Sequence, residues 1–171
     1  VRKHNIRHHA IIYLKYNIPA NKKIVGFIGN WMEWVDMPTL LEASKRFDAD
    51  TVLVVAGKQY LSTSHSINEE NYPNIVFTGK IPHQDVAKLL KIIDVCVLPY
   101  KAAEVVKHLS IRKTLEYLAA GKPIVMSDLE LNERTFLKQG ENVLMCRHEN
   151  PEDLARKISQ LLRNKPLMKR M

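Results

Sequence analysis

The sequence predicts an α/β fold, a Rossmann-like doubly wound parallel sheet of about six strands with helices on both faces. Two observations carry this. Short apolar runs alternate about six times with stretches of helical period, and the runs are near-continuous rather than alternating apolar with polar. Continuous apolar strands belong in a parallel sheet covered on both faces, and repeated strand–helix alternation winds such a sheet with right-handed crossovers. A chain of 171 residues suits one domain of this kind.

The strands read in order as Lys23–Ile28, Thr51–Ala56, Ile75–Phe77, Val95–Leu98, Pro123–Met126 and Val143–Cys146. Helices fill the gaps. Pro38–Phe47 has proline in its first turn and turns Leu40 and Leu41 inward. His83–Ile93 sets Val86, Leu89, Leu90 and Ile93 on one stripe. Ser110–Ala120 carries Leu115 and Leu118, and Leu131–Gln139 meets Gly140, a natural helix stop. The last helix follows Asn150 as cap and Pro151 in the first turn, with Leu154, Ile158, Leu161 and Leu162 as its buried stripe. The segment Leu61–Tyr72 reads as a loop or a partly helical stretch.

Composition is that of a globular protein, 46% apolar and 26% charged. No apolar run reaches the roughly 18 residues of a membrane span, and the polar start of the chain has no signal-peptide character. The net charge of +8 is spread over outer helix faces without interleaved aromatics, so a solvated basic surface explains it better than nucleic acid. Cys96 and Cys146 lie inside strand-like runs without metal-ligand spacing and read as small buried hydrophobes of a reducing compartment. His4, His8 and His9 lack acidic partners at ligand spacing, and a solvated, partly disordered leader is expected there rather than a metal site.

Doubly wound sheets bind ligands beyond the carboxyl ends of their strands. Three predicted strands run directly into glycine: Gly29, Gly57 and Gly79. Each alone reads as a tight turn, but three at one sheet edge suggest a nucleotide crevice. The helix beginning near Ser110 offers free N–H groups to a diphosphate, and its Lys113 and Glu116 share a face at i and i+3. Lysine there can counter phosphate charge, and a carboxylate can accept both hydroxyls of a ribose. On spacing alone an ordinary surface ion pair explains Lys113 and Glu116 at least as well. Trp31 and Trp34 in the first loop fit either ligand stacking or core packing.

The segment Leu98-Pro99-Tyr100, a polar loop, then Ser110-Ile111-Arg112-Lys113-Thr114-Leu115-Glu116-Tyr117-Leu118-Ala119-Ala120-Gly121-Lys122-Pro123-Ile124-Val125 resembles the signature of group-1, family 4 glycosyltransferases of two-Rossmann-domain (GT-B) architecture. Agreement extends to Val25–Ala43, Val54–Gly57, Val76–Ile81 and Ser127-Asp128 with Glu133, Gly140 and Asn142, so it covers about residues 10–165. The resemblance implies the nucleotide-sugar-binding, C-terminal half of a retaining hexosyltransferase, with a nucleoside diphosphate sugar as donor substrate and no other cofactor. Its partners would be an N-terminal acceptor domain absent from this chain and an acceptor glycan or lipid-linked sugar. Location would be cytoplasmic, with the inner membrane face as an alternative for the full-length protein. Residues 1–22 would be a leader and lead-in helix, 23–165 the donor-binding domain and 166–171 a truncated tail, the isolated domain being inactive.

By the same resemblance Glu116 matches the ribose-binding glutamate, and Ser110, Ile111 and Arg112 lie in the helix start that meets the diphosphate. Ile81, after Gly79, matches the residue facing the base, while Gly29 opens the first phosphate loop and Gly57 follows the second strand. His108 and Lys113 are the catalytic candidates. The pattern also departs from the family. Members commonly carry Arg after the first glycine and Lys five residues later, where this chain has Asn30 and Val35. His108 stands where the Glu-x7-Glu signature has its first glutamate. Two rival readings follow from the same residues: a degenerate binding module without catalysis, and a sugar-nucleotide epimerase.

Overall fold

A computed structural model describes residues 2–59, 67–102, 111–128 and 136–171. Six strands form one all-parallel sheet: β1 (Lys23–Ile28), β2 (Thr51–Ala56), β3 (Ile75–Gly79), β4 (Val95–Leu98), β5 (Ile124–Ser127) and β6 (Leu144–Cys146). Their spatial order is β3-β2-β1-β4-β5-β6, so the winding reverses between β1 and β4. All six predicted strands are present, within two residues at each end. Their burial explains why they were readable: β2, β4 and β5 are buried at every position, as strands sandwiched between helices must be.

Helices α1 (Arg2–Lys15), α2 (Met37–Ser44), α3 (His83–Ile92), α4 (Ile111–Ala119), α5 (Pro151–Arg163) and α6 (Lys165–Arg170), with a single 3-10 turn at Glu69–Asn71, complete the described structure. Helix α2 packs on α5, and α1 packs on α3 across the sheet. Right-handed crossovers place α3 and α4 on the face opposite α2. Local chemistry sets the starts of α2 and α5. Asp36 caps α2 by accepting from Thr39 N, and Asn150 caps α5 by accepting from Asp153 N at 2.8 Å, each just ahead of a proline-bearing first turn. Leu154, Ile158 and Leu161 form the buried stripe of α5, with Leu162 only partly buried beside it. Gly26 in β1 allows the close approach of the chain after α3, because a Cβ there would stand 2.2 Å from Ile93 Cδ1.

Three expectations are corrected. Residues 136–139 are not helical: Glu141 N donates to Lys138 O and Gly140 N to Val143 O, so Gly140 (φ +77°) closes a turn rather than a helix. The rest of that predicted helix, 131–135, lies outside the described residues. In α4 the buried side is Thr114 and Tyr117, whereas Leu115 is 49% exposed and Leu118 only partly buried. The leader, expected to be partly disordered ahead of its lead-in helix, is helical from Arg2, with a kink at His9.

Burial of Ile12 and a charge cluster dock α1. The Asp85 carboxylate, itself buried, accepts from Lys15 Nζ at 2.6 Å, Tyr16 Oη at 2.8 Å and Lys88 Nζ at 3.1 Å. These bonds, Lys15 first, hold its carboxyl well below the usual carboxylate range. A folded-state value below the unfolded one adds stability that is complete above about pH 4 and is lost as pH falls toward the folded value. Asp85→Asn should therefore melt at a lower temperature than wild type at pH 7. That gap should narrow progressively as pH falls below about 4, read by thermal melts across the range.

Cys96 and Cys146 are free and buried, as expected of small hydrophobes. Burial pushes both thiols up to about 12, so neither is a reactive thiolate at neutral pH.

Candidate functional site

The sheet opens at the reversal. β1 and β4 pair only at Val25–Val95 and Gly26–Cys96, and beyond that point both strands continue without pairing each other. At the carboxyl edge their loops are then stitched together from above. Asp36 N donates to Pro99 O at 2.9 Å, Lys101 N to Trp34 O at 3.0 Å, and Val35 bridges Tyr100. Tyr100 N is held by Ser127 Oγ at 2.9 Å.

Between these loops and α4 lies a cavity of about 800 Å³. Gly29 and Asn30 line its β1 side, and Arg112, Lys113 and Glu116 line its α4 side. Five residues singled out from sequence thus meet in one place. Lys113 reaches across the mouth: its Cε would be 3.9 Å from a Cβ built on Gly29. Its Nζ donates to Glu116 Oε2 at 2.7 Å, with both side chains about a third exposed, so the i,i+3 ion pair expected as the plain alternative is formed. A pair this exposed contributes little to stability. Its significance is that a cation and a carboxylate stand side by side at the lip of the crevice.

The cavity also has apolar walls, of which the sequence had singled out Trp34 alone as a possible ligand contact. Phe27, Ile28, Met32, Trp34 and Val35 line it, as does the exposed Leu115. Val35 is 4% exposed and bridged to Tyr100, so it is a packed residue and not a loop position with a free side chain. The two tryptophans divide. Trp34 faces this cavity, whereas Trp31 is buried, tilts against Phe77 at 5.9 Å and lines a second cavity of about 660 Å³ on the α2 side.

The remaining predicted positions sort as follows. Gly57 and Gly79 do not line the cavity but tie its edge together: Gly29 N donates to Ala56 O at 2.8 Å and Gly57 N to Gly79 O at 2.9 Å. Gly57 has φ +145° and presses on Gly29, and Gly79 has φ +64°, so both need glycine's freedom. Ile81 is 9% exposed and also lies outside that lining. His108 and Ser110 fall outside the described residues, and Ile111 is described only as the first residue of α4.

The residue that sequence reasoning missed is Tyr117. Its hydroxyl accepts from Ile28 N at 3.0 Å and donates to Ile28 O at 3.2 Å. In the sequence it stands inside the signature segment, directly after Glu116, with nothing that assigns it a role.

The model of the family "Glycosyl transferases group 1" matches residues 12–171. The chain belongs to that family. MJ1178 of Methanocaldococcus jannaschii, an uncharacterised glycosyltransferase, is 25% identical over 175 residues, covering 96% of this chain and 47% of its own. Anabaena HepE, solved in complex with UDP and glucose, superposes with a TM-score of 0.75 at 16% identity, over 96% of this chain and 45% of that one. The C-terminal domain of LpcC, a group 1 family protein of Francisella tularensis, gives a TM-score of 0.68 at 15% identity, over 92% of this chain and 85% of that one. At these identities the structural likenesses establish the fold, that of a Rossmann-like GT-B domain. The chain spans less than half the length of the curated relatives it matches. Among the described residues no helix is long and apolar enough to cross a membrane.

Proposed function

We propose that this chain is the donor-binding part of a hexosyltransferase that moves a hexosyl unit from a nucleoside diphosphate sugar to an acceptor hydroxyl with retention. The observation that carries this reading is the cavity at the sheet reversal, where Gly29 faces Arg112, Lys113 and Glu116. A glycine turn opposite two cations suits a diphosphate, and the neighbouring carboxylate suits a ribose diol. HepE, which shares the fold, was solved with UDP and glucose.

In this reading Arg112 and Lys113 neutralise the charge that grows on the leaving diphosphate, which is the electrostatic part of the catalysis. Lys113 exchanges its bond to Glu116 for one to phosphate, which frees the carboxylate for the ribose. His108 would complete the site near the sugar. An acceptor-binding domain, expected N-terminal to this chain in the full-length protein, brings the glycan or lipid-linked acceptor, and closure between the two halves excludes water.

A thermal-shift titration with UDP, GDP, ADP and their sugar conjugates tests the reading. A ligand at about 100 times its Kd should stabilise the fold by about 2.7 kcal/mol. One diphosphate should raise Tm in wild type and fail to do so in Glu116→Ala. No shift with any nucleotide, in this chain or in the full-length protein, would leave a binding module without donor recognition.

A further inference from the structure

Ile28 is the last residue of β1, and it poses a specific problem. Gly29 N turns toward β2 and finds Ala56 O, so the N–H and C=O of Ile28 face β4. Yet β4 no longer pairs with β1 at that level. Two buried backbone groups would be stranded, at a cost that buried polar groups seldom bear. Both are met by one atom, the hydroxyl of Tyr117, whose side chain is 1% exposed. A phenol can do this because it is donor and acceptor at once. It thereby substitutes for a neighbouring strand and lets β1 and β4 stay apart where the cavity needs them apart.

Tyr117 also stands four residues from Lys113 and directly after Glu116. Lys113 and Tyr117 therefore share one flank of α4, the first at the lip of the cavity and the second beneath it. Anchoring Tyr117 to Ile28 fixes both how deeply α4 sits and how it is rotated. That sets the distance from Gly29 and Asn30, just past Ile28, to Lys113 and Glu116.

We propose that Tyr117 is a positioning residue for the nucleotide site: its hydroxyl holds the β1–β4 crevice open and keeps α4, with Lys113 and Glu116, in register with the Gly29 loop. The consequence for nucleotide binding rests on the function proposed above; the holding of the crevice does not. Burial keeps this phenol well above its ordinary pKa, so it remains a neutral hydroxyl that can donate.

The test compares Tyr117→Phe with Ile158→Val, a core change in α5, using amide hydrogen exchange and UDP binding at a temperature where both variants are folded. Tyr117→Phe should strip protection from the Ile28 and Gly29 amides and weaken UDP binding roughly tenfold. Ile158→Val should leave both unchanged whatever it does to Tm. A second readout needs no variant: UDP added to wild type should slow exchange at Ile28, because a ligand spanning Gly29 and Lys113 clamps the elements that Tyr117 joins. Unchanged Ile28 protection in Tyr117→Phe, or an affinity equal to that of Ile158→Val, would overturn the proposal. Failure of wild type to bind UDP, GDP or ADP would instead overturn the donor-site reading, and the exchange comparison would still decide whether Tyr117 holds the crevice.

Discussion

Gly57→Ala is expected to weaken nucleoside diphosphate binding by more than tenfold and to cost about 2–3 kcal/mol of stability. The added Cβ would stand 1.9 Å from Gly29 O, 2.6 Å from Gly29 C and 3.2 Å from Asn30 N, and every one of these atoms is backbone. A side chain could rotate away, but the peptide after Gly29 cannot. Gly29 is held to β2 by its own N–H on Ala56 O, just ahead of that peptide, while Gly57 is tied to β3 through Gly79 O. The residue also has φ +145°, which a side chain makes costly. The Gly29 turn must therefore move, and it is one wall of the cavity. Gly29→Ala is the informative control. The nearest atoms to its Cβ would be Phe27 Cζ at 3.5 Å and Phe27 Cε1 and Lys113 Cε at 3.9 Å, ordinary contacts that cost little. Urea unfolding should separate the stabilities of the two variants clearly, and calorimetric titration compares the affinity of Gly57→Ala with that of wild type. Equal affinities in Gly57→Ala and wild type would place the nucleotide somewhere other than against Gly29.

The contrast between these two glycines shows what the sequence could and could not reveal. All three strand-end glycines were visible as candidates for close backbone approach. The sequence could not say that Gly57 serves Gly29 rather than the ligand, because that depends on the lateral spacing of β1 and β2. The strands were legible because burial on both faces removes polar residues from them. The cap of α5 was legible because Asn150 acts within three residues of itself, whereas α2 was marked by its first-turn proline alone and its Asp36 cap emerged from the structure. The cavity was only half legible. Its charged lip lies on one helix at i and i+3, whereas its apolar wall joins Trp34, which the sequence left between ligand stacking and core, to Phe27, Val35 and Leu115 from separate segments. Tyr117 was hidden for the same reason, since a bond spanning 89 residues leaves no local trace. The segment before Gly140 misled because Phe136 and Leu137 suggest a helix, whereas Asn142 captures Lys138 N with its side chain and favours a turn.

Removing both cations of the crevice should have the largest effect on affinity. In Arg112→Ala/Lys113→Ala, nucleoside diphosphate binding is expected to fall about 100-fold, while binding of the bare nucleoside stays within about threefold of wild type. Two charge-assisted bonds at about 1.5 kcal/mol or more each account for that size, since about 1.4 kcal/mol is a factor of ten. Stability should hardly change: Lys113 and Glu116 form a partly exposed pair, worth well under about 1 kcal/mol. The expected ratio follows from the composition of the cavity. Among the described residues Arg112 and Lys113 are the cations of its lining, and Asn30 and Val35 stand where the family resemblance implies further ones. The structure also says which missing charge can be restored. Asn30 is exposed, its amide oxygen accepting only from Lys58 N at 3.3 Å, so Asn30→Arg can reach the cavity and should tighten diphosphate binding several-fold. Val35 is buried against Tyr100, so Val35→Lys would place an ammonium among apolar groups and should destabilise the fold by several kcal/mol before it reached any phosphate. Calorimetry of the double alanine variant and of Asn30→Arg, with diphosphate and nucleoside in parallel, would decide the matter. A loss shared equally by diphosphate and nucleoside would mean that Arg112 and Lys113 shape the cavity rather than bind phosphate.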